Sequence, residues 1–308
     1  MKIYSPENLA AQGDVAVNRE LLGTVLVLIS AVSFGLMPIF ARYAYAAEVG
    51  VGELLLLRFL FASIIMAILL GLTGKFIRPS GRKVLFLLGL GGIAYFLQAT
   101  LYFTSLTYVP VPLVALILYS YPAFVTAGSL SLRWEKFTRR ILASLILALI
   151  GVVLVANAGV SFKAIGILLA VGAAITYSIY ILAGSRALKG LSGEAAILYV
   201  MIGATISFAL SDLVTGNLQF AWQSQAWTWI ILITLVCTCV AATTFFQGLR
   251  LVGPARGSIL SVLEPLTSII VASILFNELL NLQQWIGGLF IVGAVLVTAS
   301  GKVVLPVG

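Results

Sequence analysis

Hydrophobic positions along this chain gather into long, nearly unbroken runs separated by short polar, basic or turn-forming breaks. A helix needs about 20 apolar residues to cross ~30 Å of hydrocarbon. By that measure the runs at 21–45, 54–74, 84–107, 112–131, 140–158, 164–186, 195–215, 226–250, 257–276 and 282–301 read as ten transmembrane helices. The charge-free stretch from Val84 to Leu132 is too long for one crossing. It divides at Val109-Pro110-Val111-Pro112, because each proline disfavours helical geometry in the residue before it. The clearest break is the cluster Lys75, Arg78, Arg82 and Lys83 between the second and third runs. The expected fold class is an all-α polytopic membrane protein.

Composition agrees. Of 308 residues, 61% are hydrophobic and 9% charged, and the mean hydropathy is +1.15. A soluble domain carries roughly 25% charged residues, so much of this surface belongs in lipid. The net charge of +8 does not indicate nucleic acid, because the basic residues occupy the short breaks between apolar runs. With the N-terminus inside, fifteen of the eighteen Lys and Arg fall in cytoplasmic segments, Arg42 and Lys163 lie opposite, and Arg58 lies within a span. That bias places both termini in the cytoplasm. Residues 1–20 are polar, mixed in charge and without the apolar core of a signal peptide, so they read as a disordered cytoplasmic tail.

The chain also aligns with itself at an offset of 143 residues. Thr100, Phe103, Leu106 and Val109 match Thr243, Phe246, Leu249 and Val252; Pro122 matches Pro265, and Glu135 matches Glu278. After a one-residue gap, Gly151, Val153, Leu154 and Val155 match Gly293, Val295, Leu296 and Val297. The domain reading is therefore a first five-helix repeat at 21–158 and a second at 164–301, forming one integral membrane domain. An odd number of crossings sends the second copy through the membrane upside down. Inverted repeats are a transporter architecture, since equivalent halves can exchange inward-open and outward-open roles. A purely structural duplication is the other reading.

Leu263-Glu264-Pro265, Phe276-Asn277-Glu278 and Gln284-Trp285-Ile286-Gly287 resemble the C-terminal repeat of EamA-type transporters of the drug/metabolite transporter superfamily. Arg58-Phe59 is similar to a position in that family's first repeat. The resemblance runs over about residues 20 to 301. It implies a ten-helix exporter of small metabolites, multi-pass in the bacterial inner membrane, with a cavity lined by spans 1, 3, 4, 6, 8 and 9. In aromatic content and run of residues the chain looks most like bacterial amino-acid exporters.

Several residues are candidates for lining such a cavity. Tyr95, Gln98, Tyr102 and Ser105 fall at i, i+3, i+7 and i+10 on one face of span 3. A polar and aromatic face inside lipid points inward, where phenol and amide find partners. Ser261, Glu264 and Ser268 form a matching line on span 9; span 6 adds Tyr177 and Tyr180, span 8 adds Thr244 and Gln247, and span 1 adds Phe34. Interhelical hydrogen bonding explains any one of these alone. Pro122 and Pro265 sit mid-span at equivalent repeat positions, where each kinks its helix or frees a carbonyl. Either a static kink or a midplane site fits such a pair. Pro38 in span 1 faces Ile181 in span 6, so the halves differ and the cavity should be asymmetric.

Glu264 is the only acid well inside a span, and Arg58 also lies within one. Glu264 must face protein or water, be paired or be protonated. It reads as a proton-coupling or substrate-ammonium site, or as a carboxyl bridging kinked backbone beside Pro265. Arg58, about five residues into span 2, has a stem long enough to snorkel to the outer headgroups or to meet Glu53 or Glu48. A contact with a substrate carboxylate is its other reading. Glu135 and Glu278 end spans 4 and 9 and are expected to tie loops or neighbouring helices. Trp222, Trp227 and Trp229 read as interface anchors. Gly151, Gly287, Gly288 and Gly293 suit close helix contact, with a homodimer face as one use.

Chemistry for other functions is thin. Histidine is absent, and Cys237 and Cys239 alone make no metal site. An intramembrane enzyme needs a metal cluster, a nucleophile with a base, or paired carboxylates. A channel needs a ring of like charges or carbonyls. Neither pattern is present in the sequence. A lipid flippase should show more basic residues in its cavity, and a cation extruder more acids. No Gly-x-x-x-x-Gly-Lys-[Ser/Thr] motif occurs, so transport is expected to run on a gradient without ATP or another cofactor. The expected function is export of small amphipathic metabolites, above all large neutral or aromatic amino acids, with efflux of drug-like cations or lipids by the same fold as the alternative.

Overall fold

In hydrocarbon every backbone polar group must be satisfied within the protein, so apolar runs of this length fold as helices. The computed structural model describes residues 6–74, 79–105, 108, 114, 117–156, 163–187, 193–216, 222–276 and 281–300, and their regular structure is entirely helical. Segment 1 comprises Pro6–Gly35 and Met37–Ala46; segment 2 is Val51–Leu72. Segment 3 runs Gly81–Gly89, then a π-helical stretch Leu90–Tyr95, then Phe96–Ser105. Segments 4 to 7 are Tyr121–Ser131, Arg139–Ala156, Ala164–Ala187 and Gly193–Thr215. Segment 8 runs Ala226–Thr234, a second π-helical stretch Leu235–Val240, and Ala241–Val252. Segment 9 is Pro254–Leu260 with Leu263–Phe276, and segment 10 is Leu282–Ala299.

Among the described residues, eight stretches, in segments 1, 2, 3, 6, 7, 8, 9 and 10, are long and apolar enough to cross a membrane. The Val109-Pro110-Val111-Pro112 turn and Glu278 lie outside the described residues. Leu72, Leu85, Leu168, Leu213 and Leu289 stand exposed on the outer surface, an apolar coat suited to lipid. Segment 1 begins at Pro6, so residues 6–20, read from the sequence as a disordered tail, continue its helix. The stretch includes the strong helix former alanine at 10, 11 and 16, and its proline sits where an N–H would be unpaired anyway.

Segment 1 packs on 8, 3 on 6, 2 on 7, 4 on 9 and 5 on 10. Exchanging each segment with its counterpart five places along maps this set onto itself. Glycine makes the closest approaches. A Cβ on Gly91 would collide with the carbonyl of Val200, and one on Gly203 with the carbonyl of Leu88, so segments 3 and 7 touch backbone to backbone. A Cβ on Gly248 would lie 2.9 Å from the Gly23 carbonyl, and one on Gly151 2.8 Å from that of Gly287. Gly151 and Gly287 are thus occupied inside the chain, whereas Gly293 faces open space. In the Gln284-Trp285-Ile286-Gly287 motif the first residue completes a capping box with the N-cap Asn281. Gln284 N–H donates to Asn281 Oδ1 at 2.8 Å, and Asn281 N–H donates to Gln284 Oε1 at 3.0 Å.

Below segment 4, Glu135 ties the first half of the chain to the second. Its Oε1 accepts the backbone N–H of Ala255 at the start of segment 9, at 2.8 Å. Gly253, at φ +86°, leaves the space this carboxyl fills. Nearby, the Arg186 guanidinium lies 4.2 Å from the centroid of the Trp134 ring. Burial lifts the Glu135 carboxyl to about 7, against the lowering effects of the Ala255 N–H, the Arg256 charge and the Ser129 hydroxyl. An acid raised in the folded state stabilises the fold in its protonated form. That contribution is complete below about 4.5 and disappears as pH rises through about 7. Each tenfold gain in proton affinity corresponds to about 1.4 kcal/mol. Glu135→Gln keeps an acceptor for Ala255 and removes the titration. In detergent, the unfolding temperature of the variant should change less than that of the unmodified protein between pH 5 and pH 8, and the gap should favour the variant above pH 7. Parallel curves would dissociate Glu135 from the pH response.

Candidate functional site

Three helix breaks build the centre of the molecule, and those of segments 1 and 9 release backbone that a neighbouring segment takes up. In segment 1, Pro38 has no N–H, and the N–H groups of Ile39 and Phe40 both turn to the Leu36 carbonyl at 3.1 Å. The Gly35 carbonyl therefore loses Ile39 and accepts the Ser268 hydroxyl of segment 9 at 2.7 Å. In segment 9, Ser261 and Val262 form a turn ahead of Pro265. The N–H of Val262 goes to Ile259 at 3.2 Å and that of Glu264 to Ser261 at 2.9 Å. The Ser258 carbonyl, without its usual partner four residues on, meets the Tyr121 hydroxyl at 3.5 Å. In segment 4 the turn is at Tyr119 and Ser120, ahead of Pro122, and Ser178 of segment 6, whose hydroxyl donates to the Ala174 carbonyl of its own helix at 2.7 Å, lies 3.2 Å from the Tyr121 carbonyl. Segment 6 runs unbroken where segment 1 is interrupted, with Ile181 fully buried at the position equivalent to Pro38.

Glu264 begins the second helix of segment 9 and is 9% exposed. The Tyr119 hydroxyl donates to its Oε2 at 3.5 Å. From Tyr119 a ladder of rings crosses the interior. Tyr119 to Tyr121 is 6.3 Å between centroids, Tyr121 to Tyr177 4.8 Å, Tyr177 to Tyr180 6.1 Å, Tyr180 to Tyr95 5.5 Å, and Tyr95 to Phe59 5.1 Å. These are the offset-stacked and edge-to-face spacings that ring quadrupoles favour. Phe246 of segment 8 joins at Tyr180, 5.6 Å away, and Phe34 packs against the same core.

Arg58 closes the far end. Its guanidinium carbon lies 4.7 Å from the Phe59 centroid. Nε donates to Thr238 Oγ1 at 3.1 Å and Nη1 to Met37 Sδ at 2.9 Å. The residue is 4% exposed, so it neither snorkels outward nor meets Glu53, whose carboxylate accepts the Gly50 N–H at 3.0 Å instead. The face of segment 2 that carries Arg58 points at segments 1 and 8, which the distance along the helix does not reveal. The π-helical stretch of segment 8 supplies Thr238, whose hydroxyl donates to Ile233 five residues back at 3.0 Å. The other π-helical stretch ends on Tyr95.

The sequence candidates divide. Tyr95, Tyr177 and Tyr180 are rungs, and Glu264 and buried Ser261 lie at the acid end. Gln98 is buried on segment 3 near Ala99. Tyr102, two turns beyond Tyr95, packs with Val114 and Ala170. Thr244 donates to the Val240 carbonyl of its own helix at 2.8 Å, and Gln247 to Glu194 of segment 7 at 2.7 Å. Tyr119, Tyr121 and Phe59 are rungs that helical spacing did not single out. The one signal for the first two is that aromatics flank the Pro122 break. Trp229 stacks on Tyr43 at 4.3 Å, and Trp227 lies edge-on to Trp222 at 5.8 Å.

Broken helices gathered around a buried acid, a buried arginine and an aromatic interior, all inside an apolar coat, define a membrane transporter. The EamA-like transporter family model matches the chain twice, over residues 21–157 and 164–300, and the chain belongs to that family. It is 29% identical over 277 residues to a protein of Archaeoglobus fulgidus described as an uncharacterized transporter, covering 89% of this chain and 95% of that protein. A crystal structure 18% identical in sequence superposes with a TM-score of 0.77, covering 89% of this chain and 95% of the other, and so shares its fold.

Tyr119→Phe keeps the ring and removes the hydroxyl that reaches the Glu264 carboxyl. Leaving a buried polar group without its hydrogen-bond partner costs about 1–3 kcal/mol. Initial transport rates in proteoliposomes should fall by roughly tenfold or more, at about 1.4 kcal/mol per tenfold. Thr100→Ala, which removes a hydroxyl that donates only along its own helix to Phe96, should transport at the unmodified rate. Equal rates for both variants would leave the Tyr119–Glu264 contact without a part in transport.

Proposed function

We propose that this transporter exports small amphipathic metabolites, above all large neutral and aromatic amino acids, by alternating access across a bacterial inner membrane. The observation that carries this reading is the ladder of six rings running from Glu264 to Arg58. A flat apolar side chain can exchange with ring–ring contacts of similar energy, while opposite charges at the two ends suit a solute carrying both. The packing set that maps onto itself when the halves are exchanged supports two inverted five-helix repeats. With the basic residues of the breaks inside, both termini are cytoplasmic. A carrier working on pools of ~1 mM needs only about −4 kcal/mol of binding, so affinity is low and release fast.

Transport is driven by the solute gradient, by exchange or by weak proton coupling. Efflux of drug-like cations is the second reading, favoured by Glu264 and by the affinity of tyrosine faces for cations. Proteoliposomes loaded with phenylalanine, tryptophan or a quaternary ammonium dye separate the two readings. The amino acids should move down their gradient. Movement of the dye with no amino-acid flux would overturn the substrate assignment. Accessibility labelling of cysteines placed before Arg19 and within 75–83 should find both sites cytoplasmic, and an external reaction at either would invert the topology.

A further inference from the structure

We propose that Arg58 is the site at which this transporter recognises a carboxylate on its solute. The inference rests on the ladder being the transport path and narrows the solutes to those bearing a carboxylate. The guanidinium is 4% exposed inside a membrane segment, and both acceptors of its hydrogen bonds, Thr238 Oγ1 and Met37 Sδ, are neutral. A thioether sulfur is a weak acceptor. A buried cation is costly unless an anion compensates it. The buried acids of segments 2 and 9 are engaged elsewhere: Glu53 with the Gly50 N–H, and Glu264 with Tyr119 at the opposite end of the ladder.

A guanidinium presents parallel N–H donors in the geometry a carboxylate accepts. It lies over Phe59, the terminal rung, so a solute whose ring rests on the ladder brings a carboxylate to it at short range. The partners that a carboxylate would displace are also placed to respond. Met37 follows directly on the interruption of segment 1, and Thr238 lies in the π-helical stretch of segment 8. Carboxylate binding at Arg58 therefore releases segments 1 and 8 from a shared contact. An amine that lacks a carboxylate gains nothing there and meets a like charge.

The test is competition against labelled phenylalanine in proteoliposomes, using phenylalanine, 3-phenylpropionate, phenylalanine amide and phenethylamine. The unmodified protein should favour the two carboxylates over the amide and the amine by at least tenfold. Arg58→Gln should reduce that preference to less than threefold, and Arg58→Lys, which keeps the charge without the fork, should fall between. If Arg58→Gln does not fold, Arg58→Lys and thermal protection of the unmodified protein by each compound decide the matter. Protection by phenylpropionate but not by phenethylamine supports the site; equal protection overturns it. Should the unmodified protein show no carboxylate preference, the amino-acid reading itself fails. Should it show the preference while Arg58→Gln retains it in full, only the assignment to Arg58 is overturned.

Discussion

Backbone hydrogen bonding without water is the constraint from which the rest of this structure follows. A continuous helix satisfies the constraint by itself, and a broken helix does not. Two interruptions here are paired with a donor from elsewhere: Ser268 at Gly35 and Tyr121 at Ser258. These donors come from segments 9 and 4, beside their own breaks, so the breaks of segments 1, 4 and 9 lie together. The irregular backbone, and with it the polar chemistry, gathers at the centre while the outer surface stays apolar.

The aromatic ladder solves a related problem. A tyrosine offers lipid-like area together with a hydroxyl that can reach a carbonyl or carboxylate, so a tyrosine-lined interior packs densely without stranding polar groups. Tyr121 does both, with its ring between Tyr119 and Tyr177 and its hydroxyl at the Ser258 carbonyl. The interior remains asymmetric. Glu264 belongs to the second half, and Tyr121 holds the equivalent position in the first. Arg58 belongs to the first half only.

Helix position and period were readable wherever a long apolar run had to be continuous, as in Ala164–Ala187 or Leu282–Ala299. The inward face of segment 3 was readable at Tyr95 and Gln98 because polar groups in lipid must turn inward. Two turns on, at Tyr102, the same face meets a different neighbour, since the stripe gives direction but not the partner at each height. Thr244 shows a different failure: its hydroxyl is satisfied by its own helix, an outcome that composition cannot separate from cavity lining. Gln247 was diverted by Glu194, a residue from another segment.

By itself, the sequence determined that this is a helical membrane protein, with prolines at matched places in segments 4 and 9 and an unmatched one in segment 1. Hydropathy, backbone chemistry and the positive-inside bias act locally, so they can be read along a single chain. Tertiary structure alone decided which segments pair, which rings touch, and that Arg58 turns inward toward Thr238 and Met37. The height of a residue in the membrane follows from counting, whereas the direction it faces around the helix depends on neighbours far away in sequence. For Arg58 those neighbours are the break of segment 1 and the π-helical stretch of segment 8, and the latter lies 180 residues away at Thr238.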